Sequence, residues 1–268
     1  MFKFGISPCP NDIFLFCGVL EKKIDLKNFK FQFYIEDVET LNSLCLKKVL
    51  DISKISTHAF FYLKEDYEII PSGGVFSWYG PIAVVKDLER VRNLPALKIA
   101  LPGRLTTAAA LMWFYWRRNL KDKEYFIEFV PFYSIMDKVL KDEVDMGVVI
   151  HEGRFIYSQK GLKVFVDLGQ FWINETGLPV PLGVVIAKKA LKIKESLNEI
   201  VRESLKYSYQ NRDFAINLAR KYAQEMDEKV LEAHIEYYVN DFSFDMKRIG
   251  NEAIDKLLYM IEKEGAWE

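Results

Sequence analysis

The chain opens Met1-Phe-Lys3-Phe-Gly-Ile-Ser7-Pro8-Cys9-Pro10-Asn11-Asp12 and continues Ile-Phe-Leu-Phe-Cys-Gly-Val-Leu-Glu-Lys22. Lys3–Ser7 reads as a strand. Two prolines then fix φ through the turn, and Asn11 or Asp12 can cap a helix over Asn11–Lys22. The pattern repeats with a strand at Lys30–Ile35, a helix at Val38–Val49, a strand at Leu50–Ser56 and a short helix at Ala59–Leu63. A β-α-β-α-β-α run predicts α/β architecture. The Gly/Ser-rich stretch Pro71-Ser-Gly-Gly-Val-Phe-Ser-Trp-Tyr-Gly-Pro81 separates it from a second series. That series has strands at Ile82–Val85, Lys98–Leu101, Ile127–Pro131 and Asp145–Ile150, helices at Thr106–Arg118 and Ile135–Asp142, and a charged connector after Val85. A strand at Val184–Ala187 follows, and then amphipathic helices only, with Leu197, Ile200, Val201 and Leu205 on one face. The expected architecture is two α/β lobes joined by two crossovers. Residues 1–85 plus 185–268 form the larger lobe, to which the C-terminal helices return, and 86–184 the smaller. A ligand cleft would lie between them at the carboxyl ends of the strands.

Half of the 268 residues are hydrophobic, and 37 basic against 38 acidic residues leave a net charge of −1. Such a balance gives no support to nucleic acid or an anionic membrane face as partner. The greasiest stretch, Ala108–Trp116, is about half of the ~20 residues that span a bilayer. The chain enters its first strand at once, so no secretory leader is expected. Cys9, Cys17 and Cys45 form no Cys-x-x-Cys, and the histidines are scattered at His58, His151 and His234. No zinc site is expected, and reduced thiols point to a cytoplasmic location. Phosphate-loop, dinucleotide, serine-elbow and His-Glu-x-x-His motifs are absent, so neither metal nor cofactor is expected.

Three strand-to-helix junctions carry small polar groups: Ser7–Asp12 with Asn11 and Asp12, Ser53–His58 with Ser56 and Thr57, and Pro102–Ala108 with Gly103, Thr106, Thr107 and Ala108. Free N–H groups at helix starts make anion sites, whereas the bland alternative is simple helix capping. An anionic ligand group is expected on Ser56, Thr57, Thr106 and Thr107, with Lys54 and Arg104 as helpers or as solvated cations. A fourth segment, Gly147-Val-Val-Ile-His151-Glu152-Gly-Arg154, delivers a histidine from an apolar strand, where it can serve as a base. Alternation along an extended chain would point Glu152 away from it. His234, on a face with Leu231 and Tyr238, reads as core packing, and His58 as placed by its turn.

Taken together, Ser7-Pro-Cys-Pro-Asn-Asp-Ile-Phe-Leu-Phe16 and Ile150-His-Glu-Gly-Arg-Phe155 resemble the 1,4-dihydroxy-6-naphthoate synthase family of the futalosine route to menaquinone. Ser72-Gly-Gly74, Gly80-Pro81, Pro102-Gly103 with Thr106-Thr107-Ala108, Asp167-Leu-Gly-Gln-Phe-Trp172 and Gly177–Gly183 extend the likeness across residues 3–187. The resemblance implies a fold similar to type II periplasmic binding proteins, used as a lyase. It implies conversion of cyclic dehypoxanthinyl futalosine to 1,4-dihydroxy-6-naphthoate with loss of the sugar-derived fragment, with His151 as base. The expected partner is a small-molecule carboxylate substrate, over which the lobes close. Ile13, where the family usually has Thr, and Phe76-Ser-Trp-Tyr79, in place of a more glycine-rich stretch, depart from the pattern and bear on pocket shape. Chorismate dehydratase of the same pathway and a non-catalytic carboxylate receptor are the alternatives. The paired Ser-Pro-Cys-Pro-Asn-Asp and His-Glu-x-Arg motifs argue against the first.

Overall fold

β1 (Phe2–Ile6) runs through Ser7 and Cys9 into α1 (Pro10–Leu20). Pro10 takes the first helical position, where its missing N–H is no loss. The computed structural model describes residues 1–151, 153–223 and 227–267. It continues with β2 (Phe31–Ile35), α2 (Val38–Leu46), β3 (Ile52–Ser56), α3 (Thr57–Leu63) and β4 (Tyr67–Ser77). The second series is β5 (Ile82–Val85), α4 (Leu88–Asn93), β6 (Ala96–Leu101), α5 (Thr107–Asn119), β7 (Glu124–Phe129), α6 (Ile135–Leu140), β8 (Met146–Val149), α7 (Gly153–Ile156), β9 (Lys163–Asp167) and α8 (Leu168–Thr176). β10 (Val180–Lys188) precedes the helical tail, α9 (Lys194–Gln210), α10 (Arg212–Tyr222), α11 (Glu228–Tyr238), α12 (Asp241–Phe244) and α13 (Lys247–Glu264).

Two five-stranded sheets result, ordered β2-β1-β3-β10-β4 and β7-β6-β8-β5-β9. β1 is parallel to β2 and β3, and β10 returns antiparallel between β3 and β4. In the second sheet β6 is parallel to β7 and β8, and β5 is antiparallel to β8 and β9. The expected α/β architecture with two sheets and two crossings is therefore observed. The first crossing comes earlier than a lobe boundary at residue 85 implies, because Ile82–Val85 pairs within the second sheet.

There are three other departures. The Pro71–Pro81 stretch is not a connector, since β4 runs through it to Ser77. Gly73 takes φ +78°, and a Cβ there would stand 2.5 Å from Val185 Cγ2. Glycine thus lets β4 bulge and still pair with β10, whose register shifts at Gly183. The charged connector contains α4, capped by Asp87, whose carboxylate accepts from the Glu89 and Arg90 N–H groups. β9 and α8 were masked in the sequence by their mixed composition, yet Asp167 caps α8.

The tail does more than return to the first sheet. Residues of α9, α10 and α11 (Leu197, Ala215, Leu231) join Phe14 and Leu15 of α1 in one core. α13 instead spans both halves. Its Ala253 and Ile254 pack with Phe76 and Val184 of the first sheet, whereas Leu257, Met260 and Ile261 join the α5 core of the second. Beyond it, Trp267 lies edge-on to Trp113 and Tyr125 and donates to the Ala109 carbonyl at 2.8 Å. Arg118 grips the Glu264 carboxylate with two 2.8 Å bonds. Trp267→Ala removes this buried anchor and should destabilise by about 3–5 kcal/mol. A melting temperature several degrees below wild type checks it, and an unchanged one would remove the strap from the account.

Candidate active site

The carboxyl ends of β1, β3, β6 and β8 lead to Ser7, Ser56, Thr106 and His151, and all four line one cavity of about 100 Å³ between the sheets. Asn11, Asp12, Lys54, Thr107, His234 and Tyr238 complete its polar and aromatic wall, and Ala108 also lines it. Two expected residues do not line it. Thr57 is wholly buried, and Gly103 lies against the Glu39 side chain at φ +147°.

The junction hydroxyls divide their work. Thr106 Oγ1 accepts from the Ala109 N–H at 3.2 Å and donates to the Gly103 carbonyl at 2.8 Å, which is a capping role. Thr107 Oγ1 donates to the Leu182 carbonyl at 3.0 Å and accepts from the His58 N–H at 3.3 Å, tying α5 to β10 and α3. Ser56 Oγ accepts from Asn42 Nδ2 at 3.3 Å, so its own proton can still be donated into the cavity. Arg104 is exposed.

Lys54 is no solvated cation. It is 4% exposed, stands 3.7 Å from Asp12 Oδ1 and donates to the Gly73 carbonyl. Burial lowers its pKa, and the Asp12 carboxylate opposes that. Asp12 also accepts from Ser7 Oγ at 2.6 Å and from Asn11 Nδ2 at 2.8 Å.

β8 ends at Val149, and His151 takes φ +53°, a left-handed backbone that a β-carbon disfavours. The segment is thus a sharp turn and not an extended strand end. Glu152, expected to point away, lies outside the described residues. Arg154 anchors the turn, donating to the Gly80 carbonyl and to Asp167 Oδ2 at 2.6 Å each. Gly80 is itself pressed on α8, since a Cβ there would stand 2.6 Å from Gly169 Cα. The His151 ring is half-buried beside Phe132, with Cys9 Sγ 3.3 Å from Nδ1 and 3.5 Å from Nε2. The Cys9 thiol is thus within hydrogen-bonding distance of either ring nitrogen. Burial pushes the His151 pKa down to about 4, against a weaker upward pull from Asp37, so the ring is neutral at pH 7.

The sequence reading missed His234. Its amphipathic spacing places it correctly on a buried face, but that face closes the cavity. Its Nε2 is 2.9 Å from Asn11 Oδ1, and its ring lies 6.0 Å from that of His151 with 24° between the planes. Burial holds its pKa well below 6.5, and the neighbouring His151 adds to the effect. Among the described residues, no cluster of three or more His, Cys, Asp or Glu side chains is placed to hold a metal ion. None of their helices is long and apolar enough to cross a membrane. Cys9, Cys17 and Cys45 are buried and not disulfide-bonded.

A family model described as menaquinone biosynthesis matches residues 2–263. The chain belongs to this menaquinone-biosynthesis family. It is 35% identical over 266 residues to the 1,4-dihydroxy-6-naphthoate synthase of Thermus thermophilus, covering 98% of this chain and 94% of that one. It is similar to a crystal structure of an Archaeoglobus fulgidus protein at 32% identity and a TM-score of 0.89, over 98% and 97% of the two chains. The periplasmic aliphatic sulphonate binding protein of Escherichia coli shares the fold alone, at 12% identity and a TM-score of 0.66 over 100% and 92%. The family member described here thus has the periplasmic-binding-protein-like fold expected from its motifs.

All three histidines of this family member have depressed pKa values, His58 also to about 4, with His58 and His234 buried and His151 half-buried. The unfolded chain takes up their protons near pH 6.5, whereas the fold resists doing so until far lower. Their contribution to stability is therefore complete above about pH 6.5. It declines as the pH falls toward about 4. Melting temperature should drop over that window, and His58→Gln should make the drop shallower. A profile indifferent to that substitution would contradict a neutral buried His58.

Proposed function

We propose that this chain is a 1,4-dihydroxy-6-naphthoate synthase, a lyase acting on cyclic dehypoxanthinyl futalosine in menaquinone biosynthesis, with His151 as its base. The observation that carries the reading is a neutral imidazole held on a strained turn at the wall of an interlobe cavity, opposite the helix starts at Ser56 and Thr106. Formation of an aromatic naphthoate drives C–C and C–O cleavage once an acidic proton has left the substrate. The chain then has to supply a base, donors for the developing oxyanion and a cradle for the carboxylate. Ser56 and the N–H groups at the start of α5 are the proposed cradle, with Asn11 and Asp12 shaping the opposite wall. Thr107 serves chiefly as the clasp between the halves. Three cysteines without disulfides favour a cytoplasmic setting.

Purified protein should form the naphthoate from the cyclic futalosine derivative, and His151→Ala should lower turnover by roughly 10²–10⁴-fold while product binding persists. Because the imidazole stays unprotonated down to about pH 4, the wild-type rate should be flat through neutral pH and fall only toward that value. Near wild-type turnover by His151→Ala would shift the base elsewhere. Turnover of chorismate by the wild type, without turnover of the futalosine derivative, would replace the reaction.

Closure of the two halves over the ligand is part of this proposal. The Thr107 clasp and α13 hold one side of the cleft. On the other, Phe155 of α7 makes ring contacts with Tyr237 and His234 of α11, with centroids 5.2 and 6.2 Å apart. Opening would separate α7 from α11 and pivot on the clasped side. Small-angle scattering should show a smaller radius of gyration with saturating product, and an unchanged radius would contradict the closing motion.

A further inference from the structure

His234 is fully buried, lines the cavity, and has a ring nitrogen, Nδ1, with no hydrogen-bond partner. A buried polar atom left unpaired is destabilising and calls for an explanation. The tautomer of the ring follows from its neighbours. A carboxylate only accepts hydrogen bonds, so the Asn11 group facing Asp12 Oδ1 at 2.8 Å must be its NH₂. The amide is thereby oriented with its carbonyl oxygen toward His234 Nε2, 2.9 Å away, and that nitrogen must carry the proton. Asp12 is itself fixed by Ser7 and Lys54. Nδ1 is consequently a bare lone pair. The rings around it, His151, Phe155 and Tyr238, make face or edge contacts and leave it unpaired.

We propose that His234 contacts the substrate, its bare Nδ1 accepting a hydrogen bond from a ligand hydroxyl while the Lys54–Asp12–Asn11 relay fixes the tautomer. The proposal rests on the naphthoate-synthase reading, which supplies a hydroxylated ligand. It divides the labour between two near-parallel imidazoles. His151 takes a proton and becomes positive, and that charge opposes protonation of His234, which stays a neutral acceptor that orients the substrate.

Two measurements test it on the whole protein. In ¹⁵N-histidine-labelled wild type, His234 should show a protonated Nε2 and a bare Nδ1, and the Nδ1 resonance should move on titration with 1,4-dihydroxy-6-naphthoate. His234→Gln, which keeps an amide donor toward Asn11 and has nothing at Nδ1, should lose roughly tenfold or more in kcat/KM through an unpaired substrate hydroxyl. A proton on Nδ1 in the free enzyme, an Nδ1 resonance unmoved at product saturation, or wild-type kcat/KM in His234→Gln would each overturn the proposal. An inactive wild type would overturn the naphthoate reading and the hydroxyl ligand with it. An active wild type with a silent His234 overturns only the role given to His234.

Discussion

A lysine and an aspartate taken out of water, Lys54 and Asp12, set the terms for the cavity. Two desolvated charges are tolerated only when their remaining hydrogen-bonding capacity is met, and removing either partner alone leaves an uncompensated buried charge. Here the demand is met by Ser7, Asn11 and the Gly73 carbonyl. That set draws the β1–α1 turn, β3 and β4 to one point. The prolines flanking Cys9 hold the turn, and the glycine bulge brings a β4 carbonyl within reach of the lysine. A polar floor built this way also dictates how Asn11 faces α11, and through it the state of a histidine more than two hundred residues away in sequence.

The second half supplies the opposite wall, and its position is fixed by a few interactions that cross between the sheets. Thr107 bridges α5, α3 and β10. α13 packs against both cores, and Trp267 against that of the second sheet. Arg154 bolts the His151 turn to the Gly80 carbonyl at the crossover. The left-handed backbone at His151 is thus held by a cation that the neighbouring motif residue provides, so the turn and its anchor are read together in Gly147–Arg154.

Most of this was legible in the sequence where the signal is local. Most strands and helices of both series, the junction residues and the histidine at the end of β8 announce themselves by periodicity, capping chemistry and position. What escaped depended on distant partners. β4 looked like a loop because its glycines serve an approach to β10, some 110 residues later, that no local pattern displays. Lys54 looked solvated because its counter-charge belongs to another strand's turn. His234 looked like core because amphipathic spacing distinguishes buried from exposed faces, and a face that closes a cavity counts as buried. Thr57 and Gly103, read as ligand contacts, do not line the cavity, because a junction sequence shows which groups are near a helix start but not which of them faces inward.

The central claim is that one ligand sits between the polar floor of the first sheet and the histidine turn of the second. A crystal structure of the wild-type protein soaked with 1,4-dihydroxy-6-naphthoate tests it most directly. The account requires the naphthoate in this cavity, its carboxylate at Ser56 and the start of α5, and its hydroxyl-bearing ring within reach of His151 and His234 Nδ1. Product bound at full occupancy elsewhere on the protein, with the cavity unfilled, would contradict it.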